Sequence, residues 1–261
     1  MQEYLSIDQD IHQLAQIIAK FNRTLVSEKK DDSHTNLSFD ALHNSLHGRW
    51  AENNGTKFIL SLNLGEFAFQ LRDFDRNLIK PFPVEGSTYT ALEKTIAGYL
   101  PEAGFDSEGF LDDLHYEIPR YDLLDKPYKK WSPKALELWV TYRSMANTSA
   151  YELLDALQIR DEVRIWPHHF DTGIYVEASS FIGLGFGLAI KDDMVGEPYF
   201  YFSGYGLNEY TIDYSKTRAL TAGKWILTDH WKGAVLCLSE ASPASLITFQ
   251  QEVLKWFLLK S

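Results

Sequence analysis

Two Ser-Pro pairs, Ser132-Pro133 and Ser242-Pro243, do most to limit the folds open to this chain. A Ser hydroxyl at an N-cap accepts from an otherwise orphaned amide, and Pro in the first turn needs no amide partner and already has a helical φ. Each pair is followed by an apolar stripe at helical spacing. The first stripe is Ala135, Leu138, Trp139, Tyr142 and Met145, resuming at Tyr151, Leu153, Leu154 and Leu157 after an expected break near Asn147-Thr148-Ser149. The second is Leu246, Phe249, Val253, Leu254 and Phe257. Between the two helices lie strand-length runs near residues 163–166, 173–177, 181–190, 199–205, 222–227 and 233–238, rich in aromatic and β-branched residues. Strands this close in sequence pair with their neighbours. The predicted class is therefore α+β: mainly antiparallel β-sheet, with N-terminal, central and C-terminal helices packed against it.

The N-terminal half follows the same grammar. Ile11, Leu14, Ala15, Ile18, Phe21 and Leu25 place an apolar stripe on one helix face, with Asp8 or Asp10 as its expected cap and an end near Ser27. Leu37 to Ala41 alternates like a half-buried strand. Asn53-Asn54-Gly55 signals a turn. Phe58, Leu60, Leu62 and Leu64, then Phe67, Phe69 and Leu71, alternate with polar residues on either side of Gly65, the pattern of two strands joined by a tight turn. A short strand at Asn77 to Lys80 is expected to stop at Pro81 and Pro83, a helix to start at Ser87, and a short strand to occupy Leu114 to Ile118. With no repeat and no long linker, the chain reads as a single domain over residues 1–261, a two-lobed division near 120–132 being the one alternative.

Charge narrows the partners. The chain carries 25 Lys and Arg against 36 Asp and Glu, a net charge of -11. Such acidity opposes a phosphate backbone, and the basic residues occur only as pairs such as Lys29-Lys30 and Lys129-Lys130, so no nucleic-acid partner is expected. The first residues, Met1-Gln2-Glu3-Tyr4-Leu5-Ser6, have neither a basic nor an apolar leader segment, and no apolar run reaches the ~18 residues of a membrane span. No membrane association and a cytoplasmic location follow as expectations. The one cysteine, Cys237, lies in an apolar strand and reads as a small core residue.

The unusual chemistry gathers between Ile165 and Phe202. Trp166-Pro167-His168-His169-Phe170-Asp171 holds paired histidines, and Glu197-Pro198-Tyr199-Phe200-Tyr201-Phe202 reads as a strand beginning at a proline. If the first segment is extended, alternation puts His169 and Asp171 on one face as an imidazole–carboxylate pair, and the second puts Tyr199 and Tyr201 on one face. Two readings compete: a histidine packed against Trp166 inside a sheet, or a pocket of His168, His169, Asp171, Glu197, Tyr199 and Tyr201. Gly183-Leu184-Gly185-Phe186-Gly187 lacks the Lys-Ser/Thr and the following helix of a phosphate loop, so its glycines are read as sites of close backbone approach. His43-x-x-x-His47 has the spacing of two rings on one helix face. It lacks the Glu of a metalloprotease helix, and Gly48 makes any helix brief, so no metal and no cofactor are assigned.

On these segments the chain resembles a bacterial family known only as a domain of unknown function. The resemblance rests on Ile11-His12 to Gln16-Ile17, Phe67 to Leu71, Trp166-Pro167-His168-His169-Phe170-Asp171 and Glu197-Pro198-Tyr199-Phe200-Tyr201, and it spans nearly the whole chain. It implies one domain and brings no assigned activity, cofactor or site residue. The leading expectation for function is a protein that holds a small polar or aromatic molecule in a pocket lined by His, Asp, Glu and Tyr. The alternatives are a hydrolase or metal-dependent enzyme using His169, Asp171 and Glu197, and a non-catalytic interaction protein, such as a homodimer built on exposed aromatics.

Overall fold

The computed structural model describes residues 1–53, 55–121, 123 and 125–259. They form four helices and two antiparallel sheets, as an α+β chain should. None of the described helices is long and apolar enough to cross a membrane. The chain divides into two compact units, one of Met1–Thr141 with Ile165–Phe170, the other of Tyr142–Arg164 with Asp171–Ser261. Residues 120–132 fall inside the first unit.

The first unit opens with α1 (Gln2–Leu25). The helix begins well before the expected caps, and both carboxylates serve elsewhere: Trp139 Nε1 donates to Asp8 at 2.8 Å and Trp131 Nε1 to Asp10 at 2.8 Å. A sheet follows, made of β1 (Ser38–Asp40), β2 (Ser45–His47), β3 (Ala51–Asn53), β4 (Thr56–Asn63), β5 (Ala68–Asp73) and β6 (Leu78–Pro83), in the order β1-β2-β4-β5-β6 with β3 also on β4. Asn54, in the expected turn, lies outside the described residues. The register explains the sheet. Phe39, Leu46, Leu62, Phe69 and Phe82 form one cross-strand row, all buried, on the face that packs against α1. Each such side chain contributes about 1.5–3 kcal/mol relative to exposure. One residue over, Ser38, His47, Ser61, Gln70 and Pro81 form a second row on the opposite face. β6 runs through both prolines instead of stopping at them. It is an edge strand, so a missing amide there leaves no ladder bond unmade.

Gly48, between β2 and β3, is needed for closeness: a Cβ there would lie 2.5 Å from Asn22 Oδ1 and 2.7 Å from Ile18 Cγ2 on α1. α2 (Tyr89–Tyr99) starts at a Thr88 cap, whose hydroxyl accepts from Ala91 N. α3 (Pro133–Leu157) starts as the Ser-Pro pair predicts, with Ser132 Oγ accepting from Ala135 N at 3.2 Å, and runs through Asn147-Thr148-Ser149 without the expected break. Between α2 and α3 the described residues contain neither helix nor strand, so the expected strand at 114–118 does not form. That segment is tied down by side chains of α1: Arg23 donates to the carbonyls of Gly109, Asp112 and Asp113, and Tyr116 donates to Gln16.

The short strand β7 (Arg164–Trp166) leads to the second sheet: β8 (Asp171–Glu177), β9 (Ile182–Ala189), β10 (Tyr199–Gly206), β11 (Lys224–Leu227) and β12 (Lys232–Cys237), paired in the order β8-β9-β10-β12-β11. α4 (Pro243–Leu258) opens at Ser242 with a capping box shared with Ser245. One sheet face is apolar: Leu188, Phe200 and Leu236 form one cross-strand row, Phe186, Phe202 and Ala234 the next. α4 packs on β10 and β12, with the Phe257 ring against Phe202. Gly173 and Gly187 oppose each other on β8 and β9, and a Cβ on Gly173 would meet Phe186 O. This is the close backbone approach read from the glycine run. The fully buried Arg143 of α3 donates from Nη1 to Thr172 at 2.8 Å, and Gln250 of α4 donates to the Ser149 carbonyl.

Candidate functional site

The polar face of the first sheet carries a cavity of about 550 Å3, within the ~300–1,000 Å3 range of small-molecule sites. Its floor is the polar register: Ser38 and Asp40 from β1, Ser45 and His47 from β2, Asn63 from β4, Gln70 and Arg72 from β5. The tight turn at residues 41–44, with Asn44 at φ 49°, folds β2 back on β1. His43 and His47 therefore belong to a strand–turn–strand, not to one helix face.

Asp40 organises this corner. Its Oδ1 accepts from the amides of Leu42 (3.0 Å) and His43 (3.1 Å), an Asx-type turn. Its Oδ2 lies 2.7 Å from His43 Nδ1 and 3.6 Å from His47 Nε2. A carboxylate only accepts, so His43 Nδ1 donates to it, and His43 Nε2 has no partner among the described residues. Burial pushes the Asp40 carboxyl upward, but the His43 ring and amide bonds, with the charges of both histidines, outweigh it and hold the group below the usual range. His47 is pushed down, by burial first and by the charge of Arg76, against the pull of Asp40. Its Nε2 is shut off from solvent and has no hydrogen bond.

The rest of the wall is cationic. Arg72 donates twice to Gln70 Oε1, at 3.1 and 2.9 Å, and once to the Arg76 carbonyl at 2.7 Å, while Gln70 donates to Glu66 at 2.6 Å. Arg49 and Arg76 also line the cavity, and Trp50, tilted on Phe74 at 5.6 Å between ring centres, forms an aromatic side. The Arg76 guanidinium has no partner among the described residues. Three Arg against Asp40 and Glu66 leave the lining one positive charge before either imidazole is counted, in a chain of net charge -11. Chemically this corner can bind an anion and can move a proton through His43. Of its hydroxyls, Ser45 Oγ donates to the His43 carbonyl.

The residues singled out between Ile165 and Phe202 fall elsewhere. His168 and His169 sit in a turn over residues 167–170 that ends at Phe170 with φ 52°. The strand alternation that placed His169 and Asp171 on one face does not run through them. His168 packs on Tyr116 (5.3 Å) and on His169 (4.3 Å), not on Trp166, and burial with the His169 charge lowers it to about 4. His169 is exposed. The anchors of the segment are its neighbours. The Pro167 carbonyl accepts from His12 Nε2 at 2.9 Å and Gln16 Nε2 at 2.8 Å, and the Phe170 ring stacks on His12 at 4.8 Å. With Nε2 donating to a carbonyl, His12 Nδ1 accepts from Tyr121 OH at 2.7 Å.

In the second unit, Asp171 and Tyr201 are brought together, with Tyr201 OH donating to Asp171 Oδ2 at 2.5 Å. Burial and this carboxylate push the Tyr201 phenol well above its ordinary value. Tyr199 shares the face of Tyr201 but donates to Asp192 at 2.6 Å. Glu197 joins neither, accepting from Ser239 N at 3.0 Å and Ser239 Oγ at 2.9 Å. Burial and the nearby Glu197 raise the Cys237 thiol, which suits an inert role. Among the described residues no group of three or more His, Cys, Asp or Glu is placed to hold a metal ion. No protein-family model, curated protein or solved structure matches this chain.

Proposed function

We propose that this protein binds a small anionic molecule, a carboxylate or phosphate ester with a planar part, in the cavity on the polar face of its first sheet. The observation that carries the reading is the Arg76 guanidinium, unpartnered among the described residues, beside Arg49, Arg72 and two histidines in a concave site of a strongly acidic chain. Guanidinium groups suit the paired oxygens of carboxylates and phosphates, and Trp50 offers a face to a ring. His43, held by Asp40, would share a proton with the bound anion.

A thermal-shift panel tests this. Citrate, benzoate and a nucleoside monophosphate are compared with uncharged analogues such as benzamide and the parent nucleoside. A ligand at a hundred times its Kd stabilises by about 2.7 kcal/mol. The expected result is a shift with an anion that weakens at high salt and disappears in Arg76→Ala. A panel in which uncharged analogues shift the protein equally sinks the reading. The hydrolase built on His169, Asp171 and Glu197 has less support, because Glu197 is engaged by Ser239.

A further inference from the structure

A second cavity, of about 890 Å3, lies in the first unit, lined by α1, the start of α2 and described residues between 111 and 126. We propose that it is a binding site for an uncharged, hydroxyl-rich molecule of mono- or disaccharide size, distinct from the anion cavity.

Three buried polar side chains point to it. Gln13 of α1 is 8% exposed and Tyr89 of α2 is 6% exposed, and both line the cavity. Neither the Gln13 amide nor the Tyr89 hydroxyl has a hydrogen-bond partner among the described residues. Glu93 is buried as well. Its Oε1 takes Lys20 Nζ at 2.5 Å, while its Oε2 has no partner among the described residues. The polar ends of all three open on the cavity and keep bonding capacity that the described residues do not use.

The donor set defines the ligand. Glu93 Oε2 only accepts, so the ligand must donate to it. The Gln13 amide and the Tyr89 hydroxyl each donate and accept. Hydroxyl groups meet all three demands at once. The charged lining is nearly balanced, Glu93, Asp113, Glu117 and Asp125 against Lys20, Arg120 and Lys126, which favours an uncharged molecule over an anion. A cation would meet Lys20 beside the one buried carboxylate. The rings of Tyr116 and Tyr121 on the wall supply flat surfaces for the C–H face of a sugar. Both rings are held: Tyr116 OH donates to Gln16 at 3.0 Å and Tyr121 OH to His12.

The test is an NMR titration of the full chain with glucose and with maltose, next to spermidine and citrate. Amide signals of residues 13, 20, 89 and 93 should shift saturably with a sugar. Gln13→Met and Tyr89→Phe should each weaken that binding by about tenfold or more, the effect of losing one hydrogen bond to a buried group. Both variants should melt close to the wild-type temperature, because neither group has a hydrogen-bond partner among the described residues. Arg76→Ala should leave the sugar titration unchanged, which separates this site from the anion cavity. No saturable shift with either sugar, binding of spermidine or citrate at these residues in their place, or a lower melting temperature for both variants would each overturn the proposal.

Discussion

The two sheets share one design and differ in a single face. Each is antiparallel, and each buries one apolar face under a helix, α1 in the first and α4 in the second. On the opposite face the first sheet displays Asp40, His47, Gln70 and Arg72 around a cavity. The second displays tyrosines laid across glycines. Tyr201 OH would sit 3.0 Å from a Cβ on Gly187, and Tyr175 OH 2.6 Å from one on Gly183. Its polar groups satisfy one another, Tyr201 on Asp171 and Ser203 on Tyr205. The lesson is that period-two alternation only guarantees a polar face. Whether that face is self-satisfied or left with bonding capacity for a ligand depends on side-chain reach and charge.

The largest effects should come from the faces the sheets share. Phe202→Ala and Leu62→Ala remove fully buried residues from the second and first sheets and should cost about 3–5 and 2–5 kcal/mol in chemical denaturation. A cost below about 1 kcal/mol for either would remove that sheet's apolar face from the core. Next comes the self-satisfied face. Tyr201→Phe deletes the donor to Asp171 and should cost about 1.5–3 kcal/mol, since the acceptor is a carboxylate. A neutral result would mean that the tyrosine face is as uncommitted as the arginine one.

A pH effect follows from His168. Its folded value of about 4 lies below the ordinary 6.5, so the unfolded chain takes up the proton first. Its contribution is therefore whole above about pH 6.5 and drains away as pH falls toward 4. His168→Gln should flatten that limb of a melting-temperature profile, whereas an unchanged slope would assign the acid sensitivity to other groups. The smallest stability change belongs to Arg76→Ala, within about 0.5 kcal/mol, even as it abolishes anion binding. A larger loss of stability would make Arg76 a structural residue and bring the two faces closer in kind.

Much of this was legible in the sequence where a pattern ran long enough to repeat. The alternations at 58–71 and 181–205, both Ser-Pro helix starts and the α+β class all stand. Three-residue strands such as β2 and β3 hold barely one period, so they carried no signal. β6 ran through its prolines because an edge needs no amide, and edges are not written in local sequence. The His43–His47 spacing was visible but fitted a helix as well as a hairpin. The cavity around it was harder to see, because Asp40, Arg49, Arg72 and Arg76 meet through cross-strand register and not through spacing. The signal that existed was a polar residue at every second position in Ser38/Asp40, Ser45/His47, Ser61/Asn63 and Gln70/Arg72. The Trp-Pro-His-His-Phe-Asp segment drew attention to its histidines, while Pro167 and Phe170 were the residues the fold used.

That use sets an order of events during synthesis. The strands of the first sheet are complete once Pro83 has been added. His12 and Gln16, already buried in α1, find their acceptor only when Pro167 arrives, 155 and 151 residues later. Until then Gln16 Nε2 has only the His12 carbonyl of its own helix, at 3.0 Å, and the His12 Nε2–H lacks the carbonyl that receives it in the finished protein. Nascent chains halted before residue 165 should therefore be cleaved by protease within the first unit, and those extended past residue 170 should resist. The protein's most ordinary backbone oxygen would then act as the signal that its N-terminal unit is finished.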